Sequence, residues 1–138
     1  MVEQDAPHVL LVDDDHVSRR IYADILKLNE FQVTEEKSAI DALERLHRGE
    51  KFDLVITDII MAKMDGWELL AVVRNGLNLS DLELPVIVLT AFSNDELEVK
   101  AYRLGANAIF RKKIDPNSKL VKDAKVFTGN HRSKFSDV

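Results

Sequence analysis

Short apolar runs alternate with amphipathic stretches five times along the chain. Residues 8–12 (HVLLV) suit a strand buried on both faces, and the run stops at three consecutive aspartates. A helix follows, with Val17, Ile21, Ile25 and Leu28 on one stripe at three- and four-residue spacing. Residues 31–34 read as a second strand, Phe31 and Val33 alternating with polar neighbours. Ser38 with Asp41 opens a second helix on Ala39, Leu43 and Leu46, and Gly49 ends it where a left-handed residue is needed. A third strand over 52–57 terminates at Asp58.

The second half repeats the theme. Asp65 with Glu68 starts a helix carrying Leu69, Leu70, Val72 and Val73, closed by Asn75-Gly76. Pro85 opens a fourth strand, VIVLT, ending at Thr90. Ser93 and Glu96 then predict a capping box for a helix on Leu97, Ala101 and Leu104, stopped by Gly105. Residues 108–110 make a short fifth strand before Lys112, and 117–127 a last helix on Leu120, Val121, Ala124 and Phe127, with a loose tail from Gly129.

This alternation predicts an α/β domain with a central parallel sheet covered by helices on both faces. Ligands of such sheets bind beyond the carboxyl ends of the strands. Asp13, Asp14 and Asp15 follow the first strand, Asp58 the third, Thr90 ends the fourth and Lys112 follows the fifth. Residues far apart in sequence therefore converge on one rim.

At 138 residues the chain fits one domain, placed at 1–127, with 128–138 a flexible tail or the start of a linker. Cysteine is absent, which removes disulfides, thiolate metal sites and thiol nucleophiles. The acidic N-terminus does not read as a signal peptide, and no stretch reaches the roughly 18 apolar residues of a membrane span, so a soluble, cytoplasmic protein is expected. Net charge is -5, yet residues 111–134 hold eight basic side chains against Asp115 and Asp123. With no aromatic platform interleaved and no recognition helix, this basic stretch reads as a solvated helix and tail, without direct nucleic-acid binding.

Carboxylates gathered on one rim repel by about 4 kcal/mol per pair at 4 Å near a protein surface, so a divalent cation or a lysine must offset them. All-oxygen ligation points to magnesium, since His8, His16, His47 and His131 show no ligand spacing for zinc or iron. A carboxylate beside such a cation can attack phosphorus to give an acyl phosphate, and Asp58 is placed for that role. Taken singly, each feature has a plainer explanation: aspartates cap helices, a threonine ends a strand, a lysine sits in solvent. Four of them ending four strands of one sheet favour a shared site.

Over roughly residues 8–127 the stretches LLVDDDH, LVITDIIMAKMDGWELL, PVIVLTA and GANAIFRKK resemble the receiver domain of bacterial response regulators. The resemblance implies a doubly wound, flavodoxin-like sheet of order 2-1-3-4-5. It implies phosphoryl acceptance by Asp58, magnesium held by Asp13, Asp14, Asp58 and the backbone carbonyl of Ile60, and Thr90 and Lys112 engaging the phosphoryl group. The donor would be a sensor histidine kinase or phosphotransfer protein. The readout would be a downstream protein, a fused output domain or a homodimer, through the fourth helix, fifth strand and fifth helix. Self-catalysed transfer and slow autodephosphorylation, rather than turnover of a substrate, would be the chemistry.

Three positions depart from the family pattern. Ala62 stands where proline is frequent. Lys113 stands where proline usually follows the lysine, often after a cis bond. Without proline that bond costs about 2.5–4 kcal/mol, which leaves a trans loop and a different aim for Lys112 open. Ile109 replaces an aromatic residue, so the usual ring movement is not available, and Phe110 should face the other side of the strand. Ile60 and Phe92, two residues after Asp58 and Thr90, cannot orient a water, which predicts slow loss of the phosphoryl group. Two alternatives stand beside this reading. One is a degenerate receiver acting as a phosphorylation-independent interaction module. The other is an aspartate-nucleophile phosphohydrolase, weakened by Ile60 where such enzymes need a second aspartate.

Overall fold

Five parallel strands in the order β2-β1-β3-β4-β5 form the centre of the molecule, in a computed structural model that describes residues 5–112 and 119–135. The strands are β1 (His8–Val12), β2 (Gln32–Glu36), β3 (Leu54–Asp58), β4 (Val86–Thr90) and β5 (Ala108–Arg111). The helices are α1 (His16–Leu28), α2 (Ala39–His47), α3 (Gly66–Ala71), α4 (Asp95–Arg103) and α5 (Lys119–Phe135), with a π-helical turn, Val72–Gly76, continuing α3.

Alternation along each strand divides the core in two. Leu10, Val12, Val55, Val86, Val88 and Ile109 point to the face covered by α2, α3 and α4. Val9, Leu11, Leu54, Ile56, Ile87, Leu89 and Ala108 point to the face covered by α1 and α5. Phe110 packs on this second face, opposite Ile109, as the strand period requires. A one-residue slip would exchange the two sets, so the register is firmly specified. It pairs Val12 with Thr57, Asp58 with Leu89 and Thr90 with Arg111, which brings the carboxyl ends of the strands to one rim.

Several boundaries or faces differ from the pattern reading; the third strand, expected over 52–57, runs Leu54–Asp58. In α1 the buried residues are Tyr22, Ala23, Ile25 and Leu26, while Val17 and Leu28 are exposed at 64% and 80%. Two apolar stripes overlap on this helix, and the one with alanine at its centre lets the helix sit closer to the sheet. The second strand runs two residues further than predicted, because pairing with β1 continues to Val12↔Glu36; its glutamates turn to Arg19 and Arg45. The cap of α4 is Asn94, whose Oδ1 accepts from the Leu97 N–H at 2.9 Å, one residue after the expected Ser93. Finally, α5 continues to Phe135, so that residues 128–135, expected to be a loose tail, are helical. Thr128 is buried and its hydroxyl donates to the Ala124 carbonyl at 2.8 Å, while His131 Nδ1 and Arg132 Nε meet Asp53 at 2.9 and 3.4 Å. Asp53 also accepts the His8 N–H at 2.8 Å, so it ties the end of α5 to the base of the sheet.

Beside the π-helical turn, Arg74 is enclosed by acceptors. Its guanidinium donates to the carbonyls of Gly105, Leu79, Ser80 and Leu84 and to Asn107 Oδ1, at 2.7–3.1 Å. The clamp joins the end of α3, the 77–85 connection and the turn into β5. Among the described residues, no helix is long and apolar enough to cross a membrane.

Candidate functional site

Asp13 and Asp14 leave the end of β1, and Asp58 is the last residue of β3. Ligand-capable oxygens of all three lie within 4.8 Å of one another. Asp13 is buried, with 2% of its surface exposed, and its neighbourhood is fully organised. Its Oδ1 accepts from the Asp15 N–H at 3.0 Å, and its carbonyl accepts from Arg19 Nη1 at 2.8 Å. Asp15 in turn caps α1 through the Ser18 N–H, so the start of the helix fixes the loop that carries the acidic pair.

Lys112 reaches into the same pocket. Its Nζ donates to Asp13 Oδ2 at 2.8 Å and to Asp58 Oδ2 at 2.9 Å. The lysine therefore aims at Asp13 and Asp58 despite the departure at Lys113; residue 113 and the bond into it lie outside the described residues. Burial alone would lower the Lys112 pKa, but the two carboxylates outweigh it and hold the ammonium above its ordinary value. For Asp58 the balance runs the other way. Burial, with repulsion from Asp13, raises its pKa against the opposing pull of Lys112 and of the Ile59 N–H, which donates to Oδ1 at 2.7 Å.

The loop after Asp58 is pinned from both ends. A Cβ on Gly66 would lie 2.1 Å from the Asp58 carbonyl oxygen, so only glycine fits there, and its N–H donates to the Ile59 carbonyl at 2.7 Å. Asp65 and Glu68 close a full capping box at the start of α3, as their spacing predicted. On the other side, the Ala62 N–H donates to Asp14 Oδ2 at 3.1 Å. Ile60 and Phe92 project from the rim with 77% and 64% of their surface exposed.

Thr90 is at the rim, but its hydroxyl is engaged locally: it donates to the Phe92 carbonyl at 2.7 Å and accepts from the Phe92 N–H at 3.2 Å. Asp13, Asp14 and Asp58 are thus gathered in one pocket with Lys112 bonded to Asp13 and Asp58, while Thr90 closes the neighbouring loop on itself. Sequence reasoning missed Arg19, the Gly66 approach and the Ala62 N–H. The Asp65-Gly66 turn was visible in the sequence, but the backbone contact that requires its glycine is tertiary.

Chemically, an all-oxygen trio of carboxylates suits a hard divalent cation, and the donor set contains no imidazole or thiolate to favour a softer one. The lysine neutralises part of the charge without occupying every carboxylate oxygen.

Comparison with known proteins gives one consistent result. The family described as response regulator receiver domain matches residues 9–124. The chain is 42% identical over 99 residues to the two-component response regulator ARR10 of Arabidopsis thaliana, covering 71% of this chain and 17% of that protein. It is 34% identical over 112 residues to the two-component response regulator ORR5 of Oryza sativa, covering 81% of this chain and 82% of that one. Its fold is similar to a CheY-like receiver domain protein from Methanospirillum hungatei, with TM-score 0.80 at 24% identity, covering 94% and 99% of the two chains. It is also similar to the response regulator TrrA from Thermotoga maritima in complex with Mg(2+)-BeF, with TM-score 0.75 at 23% identity, covering 88% and 98%.

Proposed function

The chain belongs to the response regulator receiver family, whose members act in two-component phosphorelay signalling, and from that premise we propose that Asp58 is its phosphoryl acceptor. The observation that carries the reading is the position of Lys112 Nζ, 2.9 Å from Asp58 Oδ2 and 2.8 Å from Asp13 Oδ2, inside a cluster of three carboxylates.

In this reading a carboxylate oxygen of Asp58 attacks the phosphorus of a phosphohistidine on a sensor histidine kinase or phosphotransfer protein, an exchange we assign to the cytoplasm. The new O–P bond forms as the P–N bond breaks, and the electron pair stays on the imidazole nitrogen, which takes up a proton from solvent. A magnesium ion held by Asp13, Asp14, Asp58 and the Ile60 backbone carbonyl would, when bound, neutralise charge on the transferring group. Lys112 pairs with that charge as it develops, and Thr90 exchanges its bonds to Phe92 for one to a phosphoryl oxygen. The acyl phosphate biases an equilibrium of the surface made by α4, β5 and α5, where Asp95, Glu98, Tyr102, Ile109 and Arg111 line a shallow groove. That surface would meet a downstream protein, a fused output domain or a second copy of the chain.

Incubation with acetyl phosphate and magnesium, followed by intact mass measurement of wild type and Asp58→Asn, tests the reading. One phosphoryl adduct on wild type and none on the variant is expected. No adduct on either would overturn it in favour of a phosphorylation-independent interaction module. Continuous phosphate release from an unrelated phosphoester would point instead to a phosphohydrolase.

A further inference from the structure

The bond from the Ala62 N–H to Asp14 Oδ2, 3.1 Å long, spans 48 positions of sequence and joins the loop after β1 to the loop after β3. The three carboxylates of the pocket are held unequally. Asp13 is buried and meets Lys112 and the Asp15 N–H, and Asp58 meets Lys112 and the Ile59 N–H. Asp14 is exposed, and its carboxylate is held from the opposite loop by Ala62. A free aspartate at such a place would populate several rotamers, most of them turned to solvent.

We propose that the Ala62 N–H is a positioning group for the cation, holding the Asp14 carboxylate in the pocket before metal arrives. This rests on the reading that the pocket takes magnesium. A carboxylate oxygen can accept one N–H and still offer a lone pair to a metal, so the bond need not be broken on binding. It also draws charge away from an otherwise repelling trio. Proline at 62 would abolish the donor, since its nitrogen carries no hydrogen. The alanine in MAKMDG, where proline is frequent in the family, therefore gives this chain a contact that a proline-bearing loop cannot make.

Isothermal titration of the full chain with magnesium tests the proposal in wild type, Ala62→Pro and Ala62→Gly, each with and without Asp14→Ala. Loss of partners that orient metal ligands weakens affinity by about 10- to 100-fold, and Ala62→Pro is expected near the lower figure. Ala62→Gly keeps the donor and should bind close to wild type. In the Asp14→Ala background the proline should cost nothing further, because the group it positions is gone.

Equal affinity of Ala62→Pro and wild type would overturn the proposal. So would an equal loss with and without Asp14, which would mean that loop shape, not the N–H, carries the effect. If Ala62→Pro fails to fold by circular dichroism, an amide-to-ester replacement between Met61 and residue 62 removes the same hydrogen with the side chain kept. The same weakening is expected of it, and unchanged affinity would refute the proposal. A wild-type chain with no saturable magnesium binding that Asp58→Ala abolishes would instead defeat the underlying reading, and the proposal with it.

Discussion

Lys112 Nζ stands 2.9 Å from Asp58 Oδ2 and 2.8 Å from Asp13 Oδ2, joining the ends of β5, β3 and β1 through one ammonium group. Its side chain is 17% exposed, and those of Asp13 and Asp58 are 2% and 12% exposed, so the three charges sit largely out of water. Removing the cation from such a group leaves the carboxylates uncompensated. Lys112→Ala is expected to lower unfolding free energy at neutral pH by about 3 kcal/mol, in the range for breaking a buried pair. Added magnesium should restore part of that loss, because a divalent cation relieves the same repulsion. Denaturant unfolding with and without magnesium measures both effects, and a variant as stable as wild type without metal would contradict the argument.

Arg74 is the second organising cation, and it is matched by neutral acceptors instead of carboxylates. It satisfies the carbonyls of Gly105, Leu79, Ser80 and Leu84 together with Asn107 Oδ1, which also accepts the Val86 N–H at 3.0 Å. Arg74→Ala strands several of these acceptors at once. Hydrogen bonds to a charged group contribute about 1.5–3 kcal/mol each, so a loss of at least about 4 kcal/mol is expected by equilibrium denaturation. Arg74→Lys should recover only a fraction, since a point charge cannot reproduce the planar fork.

Both cations bear on how much was readable beforehand. The parallel sheet was legible because each buried strand is an apolar run ending in a distinct polar residue, and those ends meet at the candidate site. Asp13, Asp14 and Asp58 could therefore be placed from order alone, and Lys112 sits where the fifth strand delivers it. What was not legible depends on contacts between distant segments. Arg74 carries no local signal of its role, because its acceptors come from the 77–85 connection and the turn before β5. Gly129 looked like a stop, because Asp53, which holds His131 and Arg132, precedes them by most of the chain. Thr90 ends its strand as expected, yet no local pattern tells that its hydroxyl turns to Phe92. In α1, two stripes share Ile25, and only packing selects between them.

His8 gives the fold a defined response to pH. Its Nε2 lies 2.6 Å from Thr34 Oγ1 and its ring packs on Phe52, with centroids 4.8 Å apart. Burial lowers its pKa below the ordinary histidine value, against the opposing attraction of Asp53 and Glu50. The neutral ring is thus favoured in the folded state. The unfolded chain binds the proton more readily, near pH 6.5, so stability from this group is present above that pH. It is lost as pH falls from there through the folded value. An NMR titration should place the His8 midpoint below that of a free histidine, and His8→Gln should flatten the slope of stability between pH 5 and 7. A midpoint at or above the ordinary value would reverse the sign and refute the prediction.

If Asp58 carries the proposed phosphoryl group, the lifetime of that state follows from what borders the pocket. Hydrolysis of an acyl phosphate requires a water held in line with the phosphorus, and a side chain that can accept or donate a hydrogen bond is what would hold it. Ile60 and Phe92 stand at the rim with most of their surface exposed, and neither carries a polar side-chain atom. Phe92 is further committed through its backbone to the Thr90 hydroxyl, which fixes the loop that bears it. Spontaneous loss of the phosphoryl group should therefore be slow in this chain. Ile60→Asn, which places an amide at the same point, should accelerate it, whereas Ile60→Val should not. Decay of the intact-mass adduct after removal of the phosphodonor measures the rate. A lifetime of seconds in wild type that Ile60→Asn leaves unchanged would show that water is oriented by other groups.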